Sequence, residues 1–122
     1  MLINCLAVGA GGALGSILRY LLLSIFPLKA NTFPFTTLAI NIMGAFFIGL
    51  IIAVAGRKIS LDPRLLLFLR VGICGGFTTF SAFSSESLEL LQNGKTIAAV
   101  TYMLLSVVLC ISAAGCAQIL VK

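Results

Sequence analysis

Charge is scarce in this chain of 122 residues: charged side chains make up 9% of it, against 61% hydrophobic ones. That balance excludes an ordinary soluble domain. Histidine is absent altogether, which removes the commonest metal ligand and the commonest general base. The four cysteines, Cys5, Cys74, Cys110 and Cys116, are dispersed in no metal-ligand spacing. They read as free thiols serving as small apolar residues. No nucleophile–base pair is visible, so the chain is not read as an enzyme. Basic runs are missing as well. The net charge of +5 is spread singly, with Arg57-Lys58 the only adjacent pair, which is a pattern of juxtamembrane anchoring and not of a nucleic-acid surface. The first apolar stretch lacks the basic leader and small-residue cleavage site of a signal peptide, so it is expected to stay in the protein.

What the chain has in plenty is apolar length. Stretches of about 20 such residues are membrane spans, and four fit, at residues 2–26, 35–55, 65–91 and 97–121. The expectation is an all-α membrane protein: a single integral membrane domain over residues 1–122, with four transmembrane helices and both termini on one side.

The third span is unlike the others. Its middle reads Cys74-Gly75-Gly76-Phe77-Thr78-Thr79-Phe80-Ser81-Ala82-Phe83-Ser84, where a membrane helix should be most uniformly apolar. Two glycines in a helix interior cost roughly 1 kcal/mol each, and the hydroxyls offer the backbone other hydrogen bonds. A break near mid-membrane, at Gly75–Thr78, is therefore expected. Irregular backbone at that depth survives only against protein or a watery pathway.

Polar residues in the other spans cluster by position. Gly11/Gly15 and Gly12/Ser16 are small-xxx-small pairs that let helix backbones approach, and Gly44 and Ala45/Gly49 read as packing surface. Arg19 follows, roughly 8 Å from the centre of its span, readable as a snorkelling anchor above Tyr20 or as a functional charge. Asn41 lies about 6 Å from the centre of the second; alone it reads as interhelical glue. Arg70 and Glu86 lie roughly 12 Å either side of Thr78 and read as interfacial charges. Tyr102, Ser106 and Cys110 recur every four residues and share a face; singly, they read as a belt tyrosine and a back-bonded serine.

In an up-down bundle, however, Arg19, Asn41, Phe80, Phe83, Glu86, Tyr102 and Ser106 all fall in the half of the bilayer opposite the termini. Buried polar groups face the bundle interior, so they read as one track. Four helices cannot enclose a pore alone, and a second copy is the economical source of the missing wall. Hydroxyl and amide groups are donors, ring edges are positive, and Phe80 and Phe83 share a helix face. That set suits an anion. A proton or cation carrier wants a deep carboxylate, and none is there.

The segment Gly75 to Glu86, Gly-Gly-Phe-Thr-Thr-Phe-Ser-Ala-Phe-Ser-Ser-Glu, resembles the signature of the Fluc (CrcB) fluoride channels. Gly11-Gly12 through Arg19-Tyr20, and Asn41-x-x-Gly44, are similar to the same family, and the resemblance spans essentially the whole chain. It implies a fluoride-selective channel that exports fluoride passively across the inner (cytoplasmic) membrane and gives fluoride resistance. It also implies a dual-topology antiparallel dimer with two pores, each lined by both chains. Phe80 and Phe83 would be the pore phenylalanines, with Asn41 beside them and Ser81 and Tyr102 in a hydroxyl track. With Thr79, Ser106 and Glu86 these complete the expected pore lining. Arg19 would stand toward the aqueous vestibule, and the backbone carbonyls of Gly75 and Thr78 would hold a central structural sodium ion. Ala82 stands where the family usually has threonine, and Thr36 where it usually has glycine.

Two other readings compete. A small four-helix drug/proton exporter needs a deep carboxylate, whereas the acids here are Asp62, Glu86 and Glu89. A non-transporting membrane subunit explains the glycines but not the gathered polar groups. Orientation is weakly encoded: Arg57, Lys58, Arg64 and Lys122 lie on the terminal side and Lys29 and Lys95 opposite. Insertion both ways, as a homodimer or beside a paralogous subunit, is consistent with that.

Overall fold

The computed structural model describes residues 1–57 and 61–121; Lys58 and Lys122, counted in the charge bias above, lie outside them. Every regular element among the described residues is helical. Helix α1 covers Leu2–Ile25 and α2 covers Phe35–Gly56. The third apolar stretch is divided: α3 (Pro63–Leu66) runs into a π-helix (Leu67–Cys74) and a last α-helical turn, α4 (Gly75–Phe77), and α5 (Phe80–Gln92) follows. Helix α6 covers Thr96–Leu120. Four of these rods, at Leu2–Ile25, Phe35–Gly56, Pro63–Gln92 and Thr96–Leu120, are long and apolar enough to cross a membrane. The chain is thus a multi-pass membrane protein, with span limits one or two residues from those expected.

Helix starts follow local chemistry. Asp62 caps α3, its Oδ1 accepting from the Arg64 N–H at 2.7 Å, with Pro63 in the first position, where a missing N–H costs nothing. Gly94 turns the chain from α5 into α6 at φ +74, a conformation open to glycine.

Two pairings build the bundle: α1 lies along residues 63–77, and α2 lies along α6, with α5 leaning on α6. Acyl chains are as apolar as leucine, so burial against a neighbouring helix gains little hydrophobic energy, and close approach must supply the attraction. The sequence provides for it. A Cβ on Gly11 would strike the Phe68 carbonyl and Gly72, and one on Gly15 would strike Ile73 and Phe77. On α2, one on Gly49 would strike the Ala114 backbone of α6. The small-residue pairs are packing surface, as expected.

The glycine pair at 75–76 is a correction. Both residues are helical, at α4, and Gly76 lies against the Gly12 backbone. Gly76 gives α1 room, and neither glycine breaks the helix. The interruption comes later, at Thr78 (φ −77, ψ 160) and Thr79 (φ −150, ψ 114). The π-helix was also unforeseen. It contains no proline, and it coincides with the close approach of Gly11 to Gly72 and of Gly15 to Ile73.

Candidate functional site: a polar groove at the helix interruption

Two extended residues strand backbone groups that a continuous helix would pair, and in an apolar setting each unpaired group costs several kcal/mol. Side chains from two other helices meet that cost. Asn41 of α2 accepts from the Thr79 N–H on Oδ1 (2.8 Å) and donates from Nδ2 to the Thr79 carbonyl (3.1 Å). Its amide therefore serves the interruption as a second backbone strand would. Arg19 of α1 donates from Nη1 to the Thr78 carbonyl (3.3 Å), and Ser16 donates to the Gly76 carbonyl (3.4 Å). Thr78 folds back on the preceding turn, its N–H (3.0 Å) and hydroxyl (2.8 Å) both donating to the Cys74 carbonyl. Thr79 restarts the helix, its Oγ1 accepting from the Ala82 N–H at 3.1 Å as an N-cap. Ser81 Oγ lies 3.2 Å from that same Thr79 oxygen.

A helix end leaves its last carbonyls without intrahelical partners. Those of Cys74, Gly76 and Thr78 are instead bonded as just described; the Gly75 carbonyl meets no donor among the described residues. Arg19 is half-buried and turned toward the interruption.

Beyond the interruption, α5 carries the rings and the acid. Phe80 and Phe83 stand with centroids 5.4 Å apart, and Phe83 meets the Tyr102 ring at 5.3 Å. Tyr102 is 0% exposed, not the belt residue it would be alone. Its hydroxyl donates to Glu86 Oε2 (2.6 Å), and Thr37 Oγ1 donates to Glu86 Oε1 (2.7 Å). Glu86 is thus half-buried and held from two helices, not turned out as an interfacial charge. Behind these groups Leu38, Leu90, Ala99 and Tyr102 form the buried core.

Ser106 also departs from its expected role. Ser24, Ser84 and Ser87 each donate to the carbonyl four residues back, at 2.7–2.9 Å. Ser106 is buried and its hydroxyl has no partner. It lines a groove of about 370 Å³ together with Asn41, Thr78, Phe80, Phe83 and Cys110. The groove is open on one side, where Phe80 is 79% exposed.

Most of the expected track is therefore brought together. Asn41, Thr79, Phe80, Phe83 and Ser106 border one groove, Ser81 joins them through Thr79, and Glu86 and Tyr102 form a connected cluster behind Phe83. Gly75 and Thr78 line the same groove. Two residues were missed. Thr37 lies four residues before Asn41 and so on the same face of α2, a signal the sequence did hold. Phe33 lies in the connection before α2, where its ring meets Tyr102 edge-on at 5.5 Å and 77°; no periodicity could have revealed it.

The family model for "CrcB-like protein, Camphor Resistance (CrcB)" matches residues 6–118. The chain is 39% identical to the "Fluoride-specific ion channel FluC" of Azobacteroides pseudotrichonymphae, across 98% of this chain and 93% of that one. It is 47% identical to "Fluoride-specific ion channel FluC 1" of Nitrobacter hamburgensis (88% and 86% covered). With the channel of the same name from Ruminiclostridium cellulolyticum it shares 40% identity (99% and 94% covered).

Proposed function

Because the chain belongs to the CrcB family, we propose that it is a fluoride-selective channel, exporting fluoride passively across the cytoplasmic membrane and so conferring fluoride resistance. It is a conduit and not an enzyme. The observation that carries this reading is the groove: a buried, unpartnered Ser106 hydroxyl stands beside the Phe80 and Phe83 rings and the Asn41 amide. Fluoride is small and strongly hydrated, so a selective path must replace its water with several donors at close range. Hydroxyls and positive ring edges provide them, with Arg19 adding positive charge at the interruption.

One wall of such a path is present in a single chain. A second copy, inserted in the opposite orientation, supplies the other, giving two pores at the interface of an antiparallel dimer. The interruption then lies near mid-membrane on the two-fold axis, and the two α4 ends face each other with their partial negative charge. A sodium ion between them would neutralise it. The groups that would hold that ion are backbone carbonyls, the hard oxygen donors such a cation takes. The Gly75 carbonyl meets no donor among the described residues, and the Thr78 carbonyl keeps a second lone pair beside its bond from Arg19.

Liposomes loaded with fluoride and carrying the purified protein should empty when a potassium ionophore is added, and chloride-loaded ones should not. Equal efflux of both anions ends the selectivity reading. A single cysteine at Lys95, in a cysteine-free background, should label from both faces of intact cells. Labelling from one face only would replace the homodimer with a pair of different subunits.

A further inference from the structure

Of the described residues that border the groove, Arg70 alone carries a charge, and no carboxylate borders it. The sequence reads this arginine as an interfacial charge; the structure sets it in the same wall as Cys74, Gly75, Thr78 and Ser106. The acids are engaged elsewhere. Asp62 caps α3, and Glu86 is held by Thr37 and Tyr102 and borders a separate cavity with Glu89. Arg19 is engaged as well, at the Thr78 carbonyl. Arg70 is exposed. Charge inside a membrane span is costly, and it marks an ion path or a charged partner. In the groove no acid is there to be that partner.

Helix winding accounts for the place of Arg70. In an α-helix, Arg70 and Gly75 would stand about 140° apart around the axis. Leu67–Cys74 is a π-helix, whose bonds span five residues, so residues five apart stand nearly one above the other. A Cβ on Gly75 would lie 4.0 Å from the Arg70 carbonyl oxygen, and both residues border the groove. Along the broken rod Arg70 and Cys74 precede the interruption, and Phe80 and Phe83 follow it. The cation thus stands ahead of the rings for an ion that enters from the start of the third span.

We propose that Arg70 is an anion-collecting residue, whose guanidinium draws fluoride into the groove before the ion meets Ser106 and the rings. The proposal rests on the fluoride reading of the groove and adds to it an entry step set by charge. A cation between low-dielectric walls focuses its field along the cleft and raises the local concentration of anions there. Such a field acts on any small anion alike. Selectivity is left to the donors beyond it.

The test is the single-channel fluoride current of the full-length protein in planar bilayers of a neutral lipid. Fluoride is held constant while a salt of an impermeant anion raises the ionic strength from about 10 mM to about 1 M, which shortens the Debye length from about 30 to about 3 Å. At the low end Arg70→Gln should carry about three- to tenfold less current than the wild type, and the gap should close at the high end. Arg70→Lys restores the charge and should recover most of the current. Both variants should still exclude chloride. Equal currents in Arg70→Gln and the wild type at low ionic strength overturn the proposal and leave the channel reading intact. So does a deficit that salt does not close, that Arg70→Lys shares, or that comes with chloride passage. An arginine seated on a lipid phosphate would instead make thermal stability in detergent depend on added phospholipid, a dependence that Arg70→Gln removes with no change in current. That result also overturns the proposal. No fluoride current from the wild type would bring down the channel reading, and this inference with it.

Discussion

Residues 63–77 lie on α1 through glycine against backbone, whereas α5 lies on α6 through rings and on Glu86 through hydroxyls. The first contact leaves no room, and its side-chain hydrogen bonds are those of Ser16 and Arg19 to carbonyls at its end. The second leaves an open groove with an unpartnered hydroxyl. One helix, interrupted once, thus separates a scaffold from a site. The interruption is where the two meet, and Asn41 braces it. Where apolar burial gains little, shape does the holding on one side, and on the other the buried Ser106 hydroxyl is left without a partner among the described residues.

The contrast is most severely tested on the scaffold side. Gly15→Leu places a side chain into the backbone of Ile73 and Phe77, which cannot yield as a side chain could. Overpacking costs typically about 1–3 kcal/mol and more where backbone must shift. Loss of the monodisperse protein in detergent is the expected result; wild-type melting would show that the two rods do not touch as described.

Next comes the brace. Asn41→Ala strands the Thr79 N–H and carbonyl together, each worth roughly 1–3 kcal/mol when buried without a partner. Thermal stability in detergent should fall by an amount of that order, and fluoride flux with it. Unchanged melting would mean that the interruption holds itself.

On the site side the effects should divide the other way. Phe80→Ile removes a ring that is mostly exposed within its own chain, so stability should hold while flux falls on the order of tenfold, since the positive ring edge is lost. Phe83→Ile also removes a ring packed on Tyr102 and should cost some stability as well. If both variants conduct normally, the rings are packing and the contrast between the halves fails. The smallest effect belongs to Ala82→Thr, which restores a hydroxyl one turn from the interruption: flux should stay level or rise slightly, and a clear fall would place that position outside the track.

Four spans, their approximate ends and the small-residue packing faces were legible because they depend on hydropathy and spacing alone. The shared face of Phe80 and Phe83 follows from the period of a helix. The gathering of Asn41, Thr79 and Ser106 was legible in outline, since polar residues at matching depths turn inward together. Thr37 could have been read from the helix face that it shares with Asn41, though nothing in it names Glu86; Phe33 could not, because what matters about it is the Tyr102 ring opposite.

The sequence by itself determined that this is a four-span membrane protein with a weak point in its third span, because apolar length and helix propensity are properties of local chain. Tertiary structure alone decided where that weak point opens. Gly75 and Gly76 stay helical, Gly76 against the Gly12 backbone of α1, and the interruption moves to Thr78 and Thr79, where Arg19 and Asn41 supply hydrogen bonds. It also decided that Glu86 faces two hydroxyls instead of water. The reason is physical: a stranded backbone group or a half-buried carboxylate is tolerated only where partners exist, and those partners lie about 15 to 60 residues away in the chain.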